Sequence, residues 1–280
     1  MEFDSSLICA AVWLCMLIVG LVTYAMLVAR SSDYDFWESA LYLPTYLMGR
    51  LLWRVHFTNQ APPELKAGAV LVANHRSSVD PFFVQLAARR RVHWMVAREY
   101  CEHIVFGIIL RWAQAIPTNR SGMDTAATRA AIRITKIGRL VGMFPEGRLN
   151  HTRAPMVSIR SGAAMVAERA GVPIVPLYIA GSPYRREVWS PLFMPARVAI
   201  TFGTPIFPNT IVADSPTDGE SDSATAESIE LTSSDNGENG MSSAESLILQ
   251  WGQQVVALSG HPEFKVELAS KRKRRTRAKS

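Results

Sequence analysis

The sequence of 280 residues contains only three cysteines, and their spacing suits neither a disulfide framework nor a metal site. Cys9 and Cys15 lie in one apolar run and Cys101 stands alone, so no CxxC pair is formed. A GxSxG nucleophile elbow and a P-loop are also missing from the sequence. The chemistry of any site must therefore come from other residue types.

Charged residues make up only 19% of the chain, whereas 48% is hydrophobic, which is enough for a sizeable buried core. The net charge of +6 is unevenly spread. Residues 1–208 hold 22 Lys and Arg against 13 Asp and Glu, residues 209–246 hold nine acids and no base, and residues 271–280 hold seven bases and no acid. A basic body favours anionic partners, whether lipids, phosphorylated metabolites or nucleic acid.

An uncharged, mostly apolar stretch runs from Ser5 to Ala29. About 20 apolar residues suffice to cross a bilayer, and the basic residues that open a cleavable signal peptide do not precede this stretch. Residues 1–29 are therefore predicted to form a single uncleaved transmembrane anchor. Because bases near the segment lie only after it, at Arg30, Arg50 and Arg54, the body of the protein is predicted to lie on the cytoplasmic side.

The rest of the chain divides by composition. The aromatic and apolar stretch 41–57 is expected either to lie in the headgroup layer or to pack as an ordinary helix. Segment 209–246 has almost no large apolar residue and is expected to be disordered. The predicted division is a juxtamembrane segment 30–63, a domain 64–208, the acidic insert 209–246, a C-terminal helix 247–268 packing back on the domain, and a basic tail 269–280 that contacts anionic lipid.

Beyond residue 63, short β-rich runs alternate with helical patterns. This alternation predicts an α/β fold with a mainly parallel sheet flanked by helices. The predicted strands are 69–73, 92–96, 115–116, 140–144, 174–179 and 198–202. The predicted helices are 81–91, 124–137, 161–170 and 247–258.

The run NHRSSVD at 74–80 follows the first of these strands, at the strand end where α/β sheets gather their ligands. His75 can take a proton from a hydroxyl if a partner fixes its tautomer. Asp80 is placed to be that partner, or to cap the helix that Pro81 opens. The two roles are compatible because a carboxylate has two oxygens.

The run FPEGR at 144–148 also follows a predicted strand. Gly147 lets backbone N–H groups approach an anion, and Arg148 offers a fork suited to phosphate. Glu146 repels phosphate, so its expected partner is an arginine or a substrate hydroxyl; a surface turn with an ion pair is the alternative. Two further runs are IPTNR at 116–120, which ends in an arginine, and GVPIVP at 171–176, which is typical of core packing or of a pocket wall.

In this order and at these spacings, the four runs resemble the blocks of the lysophospholipid acyltransferase superfamily, to which the 1-acylglycerol-3-phosphate acyltransferases belong. NHRSSVD matches the NHxxxxD block, IPTNR the block ending in arginine, FPEGR the FPEG block and GVPIVP the VPxxP-like block. The resemblance covers roughly residues 65 to 208. Many members follow FPEG with Thr-Arg-Ser, whereas here Arg148 follows Gly147 directly, which leaves the acceptor headgroup open.

The resemblance implies an acyl transfer in which His75 is the general base on a lysophospholipid hydroxyl and Asp80 orients its imidazole. No metal or cofactor is implied, because acyl-CoA or acyl-carrier protein supplies the thioester as a co-substrate. The expected reaction converts 1-acylglycerol-3-phosphate to phosphatidic acid in phospholipid biosynthesis. The implied substrate-binding residues are Arg120, Phe144, Pro145, Glu146, Gly147 and Arg148, with Val172 and Pro173 near the acyl groove.

Three alternatives remain at this point. The acceptor can be another lysophospholipid, such as lysophosphatidylethanolamine, in phospholipid remodelling. The chain can be a non-catalytic protein that holds anionic lipid or nucleic acid through its basic body and tail, although no nucleic-acid recognition pattern is present and no specific nucleic acid is expected. The third alternative is a metal hydrolase built on His75, Asp80 and His151. The other histidines lack the spacing of metal ligands, which argues against it.

Overall fold

The computed structural model describes residues 5–31, 34–119, 124–185, 189–208 and 241–269. Most of the predicted acidic insert and of the basic tail lies outside these residues. Residues 241–246 of the predicted insert are described, and the last four of them belong to a helix that begins at Ser243.

A seven-stranded sheet forms the centre of the fold. Five strands are parallel, and the seventh strand of the chain runs antiparallel to the sixth, with the first strand alongside it. From edge to edge the strands are β1 (His56–Phe57), β7 (Ala199–Phe202), β6 (Ile174–Ala180), β2 (Ala69–Ala73), β5 (Leu140–Met143), β3 (Val92–Ala97) and β4 (Ile116–Thr118). The predicted α/β fold with a mainly parallel sheet is confirmed, while the two-residue strand β1 was not predicted.

Helices cover both faces of this sheet. In the described residues they are α1 (Ser5–Ser31), α2 (Phe36–Leu51), α3 (Asp80–Ala88), α4 (Arg98–Cys101), α5 (Ile104–Trp112), α6 (Thr125–Lys136), α7 (Gly162–Ala170) and α8 (Ser243–Ser259). Short 3₁₀ helices occur at Pro63–Lys66 and Ser190–Phe193. The stretch predicted to be interfacial or helical, 41–57, contains most of α2 and then β1, whereas α4 and α5 were not predicted.

The central strand β2 shows why the sheet is buried on both sides. Side chains alternate along a strand, so Ala69, Leu71 and Ala73 pack on the face covered by α3, and Val70 and Val72 pack on the face covered by α6, α7 and α8. All five are buried. A continuous apolar run is what a strand needs when helices cover both its faces.

The C-terminal helix α8 packs on β6 and α7. Its start is a capping box, in which the Ser242 hydroxyl accepts from the Glu245 N–H and the Glu245 carboxylate accepts from the Ser242 N–H. Trp251 is fully buried, and its indole Nε1 donates to the Val72 carbonyl at 2.8 Å. This contact joins the C-terminal part of the chain to the centre of the sheet.

The helix α1 contains most of the predicted anchor and continues to Ser31. Large apolar side chains along it, among them Trp13, Leu17 and Val19, are exposed. Among the described residues, however, no helix reaches the combination of length and apolarity needed for a membrane crossing. The transmembrane anchor therefore stays a prediction.

Candidate active site

Three loops meet at one edge of the sheet because β2 lies between β5 and β6 and is parallel to both. Parallel strands end at the same edge, and ligands of such sheets bind there. Residues 74–79 follow β2, residues 144–157 follow β5 and residues 181–185 follow β6. Two of the four sequence blocks, NHRSSVD and FPEGR, are thereby brought together.

The central contact of this edge joins His75 and Asp80. The histidine Nδ1 lies 3.1 Å from the Asp80 Oδ2. The Asp80 side chain is 1% exposed and the His75 side chain 17% exposed, so the carboxylate is hidden beneath the ring while the ring itself reaches solvent. A carboxylate that accepts from Nδ1–H leaves Nε2 as the nitrogen that takes a proton.

The Asp80 carboxylate accepts further hydrogen bonds, and these show that it does not cap α3 as predicted. Its Oδ2 also accepts from the backbone N–H groups of Arg76 and Ser77, each at 2.7 Å, and its Oδ1 accepts from the Ser182 hydroxyl at 2.7 Å. The N-cap of α3 is Val79, and Asp80 is the first residue of the helix. The carboxylate therefore turns back toward the preceding loop, and the prediction of a cap is corrected.

The His75 ring lies on an aromatic stack. Its centroid is 3.8 Å from that of Phe144 at an interplanar angle of 8°, and Phe144 in turn lies 4.7 Å from Trp94 at 12°. The stack restrains the plane of the imidazole from the side opposite to solvent. Phe144 thereby supports the histidine, and Trp94 of β3 extends that support into the core; that Phe144 binds substrate stays a prediction.

Glu146 braces the backbone of the histidine loop. It is 3% exposed, and its two oxygens accept from the N–H groups of His75 at 2.7 Å and Val157 at 2.9 Å. Burial raises the pKa of Glu146 above its ordinary value, against the lowering effect of these two hydrogen bonds. Backbone groups engage both oxygens, which gives Glu146 a structural role. Its predicted contact with an arginine or a substrate hydroxyl stays a prediction.

The chain beyond Glu146 closes around the same loop. The Asn150 N–H donates to the His75 carbonyl at 2.7 Å, and its side chain amide donates to the Ala154 carbonyl at 2.8 Å. The Arg76 guanidinium donates to the carbonyls of Thr152 at 2.9 Å and Ala154 at 3.3 Å. The two loops that carry NHRSSVD and FPEGR are thus held to each other by hydrogen bonds.

Two arginines flank Gly147. This glycine has φ = +63°, in the left-handed region that favours glycine, and Arg148 beside it is exposed. The Arg160 guanidinium lies 3.4–3.5 Å from the position that a Cβ on Gly147 would take, and the backbone N–H of Arg160 donates to the carbonyl of the buried Pro145 at 3.0 Å. Arg160 lies outside the four sequence blocks, so only the fold reveals that it lies beside Gly147.

Residues 53–180 match the family model described as Acyltransferase, and this range runs from before β1 through β6. The chain contains an acyltransferase domain. Within 174 residues, it is 24% identical to the 1-acyl-sn-glycerol-3-phosphate acyltransferase of Bacillus subtilis (strain 168), over 62% of this chain and 82% of that protein. The resemblance drawn from the four blocks is thereby confirmed, and the protein is an enzyme of the acyltransferase type.

Among solved structures, the chain is similar to the crystal structure of the 1-acyl-sn-glycerophosphate acyltransferase PlsC from Thermotoga maritima. The TM-score is 0.49 at 21% sequence identity, with 74% of this chain and 88% of that chain covered.

The acyltransferase domain does not bring Val172 and Pro173 to the active edge, that is, to the edge of the sheet where His75 and Asp80 lie. They precede β6, and the Pro173 carbonyl accepts from the Val70 N–H near the start of β2. Asn74, at the active edge, pairs instead with Ile179, whose N–H and carbonyl it bonds at 2.8 and 3.0 Å. Six residues of strand, about 20 Å, separate the two levels, so Val172 and Pro173 lie far from His75. Their predicted place near an acyl groove stays a prediction.

Two other predictions concern the periphery of the site. Arg120 lies outside the described residues of the acyltransferase. His151, a member of the metal-hydrolase alternative, contacts Tyr184, whose hydroxyl lies 2.6 Å from its Nδ1. Within the part of the chain that the structure describes, no group of three or more His, Cys, Asp or Glu side chains is arranged to hold a metal ion.

Proposed function

We propose that this acyltransferase moves a fatty acyl group from acyl-CoA or acyl-carrier protein to the free hydroxyl of 1-acylglycerol-3-phosphate, giving phosphatidic acid in phospholipid biosynthesis. The observation that carries the proposal is the 3.1 Å contact between His75 and the buried Asp80, beside two arginines around Gly147. The name of the Bacillus relative supports the same acceptor.

In the proposed reaction, His75 Nε2 removes the proton from the acceptor hydroxyl as its oxygen attacks the thioester carbonyl. The tetrahedral intermediate then expels the thiolate, and the imidazolium returns the proton to the sulfur. Asp80 keeps the proton of the neutral ring on Nδ1 and stabilises the imidazolium between these steps. The acyl group passes directly to the acceptor, so no covalent acyl-enzyme is formed.

The acceptor of this reaction carries a phosphomonoester, which is close to a dianion at neutral pH. Arg148 and Arg160 offer it two guanidinium forks, since Arg148 follows Gly147 in the chain and the Arg160 guanidinium lies beside Gly147. Arg120, at the end of the IPTNR block, is proposed as a third base. A zwitterionic acceptor such as lysophosphatidylethanolamine needs fewer bases than this arrangement supplies.

We further propose that the enzyme works attached to a membrane, with the catalytic domain on the cytoplasmic side. Support comes from the exposed apolar side chains of α1 and from the bases that follow it. The basic tail 271–280 adds contact with anionic lipid, worth about 1 kcal/mol per base near the surface. Extraction of membranes with alkaline carbonate separates an embedded chain from one held by charge, which leaves with the soluble fraction.

The deciding experiment measures thiol release from a long-chain acyl-CoA by purified protein in detergent. We expect release with lysophosphatidic acid, and little with lysophosphatidylethanolamine or without acceptor. Release with the ethanolamine lipid would move the function to phospholipid remodelling, and release without acceptor would indicate a thioesterase. If no thiol is released in any of the three reactions, they are repeated with acyl-carrier protein as donor. No release with that donor would contradict the proposal.

The matched variants are His75→Ala and His261→Ala. General-base catalysis contributes about 10²–10⁴-fold, so the first variant is expected to lose at least about 99% of the rate. His261 also pairs with a carboxylate, that of Glu263 at 3.3 Å, but both side chains are exposed. Near-full activity of a folded His75→Ala variant would show that the proposed mechanism is wrong.

A further inference from the structure

The helix α5 presents an apolar face to solvent. Ile104 is 84% exposed, Ile108 47%, Ile109 48% and Trp112 58%. Ile104, Ile108 and Trp112 are spaced by four residues, which places them along one side of the helix, with Ile109 next to them. A helix of a soluble domain normally buries such a stripe.

The opposite side of α5 is the one that packs on the protein. Gly107 is buried, and a Cβ built on it would lie 2.4 Å from the Cys101 carbonyl oxygen of α4. Leu110, three residues further on, is half-buried on the same side. No other residue type fits at Gly107 without a shift of α4 or α5, so the close approach determines which face of α5 turns outward.

The chemistry of this outward face suits a lipid surface. In the sequence IVFGIILRW, Arg111 is the one charged residue, and Trp112 ends the stripe. The Arg111 Nη1 lies 3.7 Å from the Cβ position of Gly107, so this base borders the stripe on the side of α4. Apolar residues beside a tryptophan and a base are typical of helices in the headgroup layer, where the base favours anionic lipid. The neighbouring turns are of mixed charge, with Arg98, Glu99, Glu102 and His103 before the helix.

We propose that this face of α5 is a second membrane contact, which inserts Ile104, Ile108 and Trp112 into the lipid surface. The inference rests on the proposed function, in that the acceptor is a membrane lipid. α4 follows β3 at the edge of the sheet that holds His75, and only two residues separate α4 from α5, so the contact holds that edge near the bilayer. An acceptor in the bilayer then reaches the site without passing through water.

The first test compares the full chain with the double variant I104S/I108S, reconstituted in vesicles of phosphatidylcholine and phosphatidylglycerol. Acyl transfer is measured to long-chain lysophosphatidic acid in the vesicles and to a short-chain, water-soluble analogue. We expect the vesicle rate to fall at least about tenfold, because two apolar side chains no longer enter lipid. The rate on the soluble analogue should change less than about twofold.

The matched control is I137S, since Ile137 is 68% exposed at the end of α6 and belongs to no proposed contact. It should leave both rates unchanged. An unchanged vesicle rate in I104S/I108S would overturn the proposal, as would an equal loss on both substrates, which would mean that the face serves the fold or the reaction itself. If the wild-type chain is a dimer and I104S/I108S is a monomer, the face of α5 binds a second copy of the chain and not lipid, which would also overturn the proposal.

A second arm needs no activity. The emission of Trp112 is taken as the difference between the full chain and Trp112→Phe, in vesicles whose acyl chains carry bromine. Quenching of this difference emission supports lipid contact of α5, and undiminished emission overturns it. If the wild-type chain acylates neither substrate, the proposed function fails, and this arm alone decides the inference.

Discussion

The Ser182 hydroxyl donates to Oδ1 of Asp80 at 2.7 Å, on the carboxylate oxygen that His75 does not contact. Asp80 is therefore held from two loops, since Ser182 follows β6 and the His75 loop follows β2. Hydrogen bonds to both oxygens restrain a buried carboxylate to one orientation, and the carboxylate in turn restrains the orientation of the imidazole bonded to it.

Ser182→Ala is expected to lower kcat about tenfold while KM changes little. A hydrogen bond to a charged group contributes roughly 1.5–3 kcal/mol, and about 1.4 kcal/mol of barrier is tenfold in rate. Steady-state kinetics on both substrates make the measurement. Ser182→Thr keeps the hydroxyl and should recover most of the rate; a loss as large as that of the alanine variant would speak against this role.

Asp80→Asn is expected to lower kcat by about 10³-fold, because an amide neither stabilises the imidazolium nor selects the required tautomer. The change is measured by thiol release, with circular dichroism to show that the variant is folded. Glu263→Gln is the matched control, since Glu263 also lies beside a histidine but is 74% exposed. Comparable rates for the two variants would exclude Asp80 from the mechanism.

Arg148→Ala and Arg160→Ala are each expected to raise KM for lysophosphatidic acid about tenfold or more, with kcat within a few-fold. The loss corresponds to one charge-assisted hydrogen-bonding group on the acceptor phosphate. Titration of the acceptor at saturating acyl-CoA provides the measurement. Arg169 is an exposed arginine at the end of α7, and Arg169→Ala should leave KM unchanged. An equal rise in KM in this variant would show that the loss of any positive charge weakens binding, without a specific contact of Arg148 or Arg160.

Glu146→Gln is expected to change the pH dependence of stability. Burial raises the pKa of Glu146 in the folded chain, so the folded chain binds this proton more tightly than the unfolded chain. The free energy of unfolding therefore falls as the pH rises from about 4.3 through the raised pKa. Urea unfolding at several pH values should give a wild-type stability that decreases relative to Glu146→Gln over this window, and a constant difference would contradict it.

Trp251→Phe is expected to lower the free energy of unfolding by about 2–4 kcal/mol. The change leaves the buried Val72 carbonyl without its indole donor and opens space between α8 and the sheet. Urea or thermal unfolding followed by circular dichroism makes the measurement. Trp189→Phe, at a side chain that is 42% exposed, should cost less than about 1 kcal/mol, and similar losses would show that α8 adds little to the core.

The strands were predictable because their signal is local. β2 has the predicted bounds, since a run of small and β-branched apolar residues between polar loops has few other solutions. α5 escaped prediction because its sequence, IVFGIILRW, is apolar almost throughout and has a glycine inside it, so it shows no clear helical period. β1 escaped because two residues carry too little pattern, and its pairing with β7 depends on residues more than 140 positions away.

Within the site, His75 and Asp80 lie in one short segment, so the sequence alone predicted that these two residues act together, and the structure shows the contact between them. The support around the pair depends on the tertiary structure, because Ser182, Trp94 and Arg160 reach it from other strands and loops. Strand polarity likewise places Val172 and Pro173 at the far edge. Residue type and spacing determine what a segment can do, but only the packing of distant segments decides which of them meet.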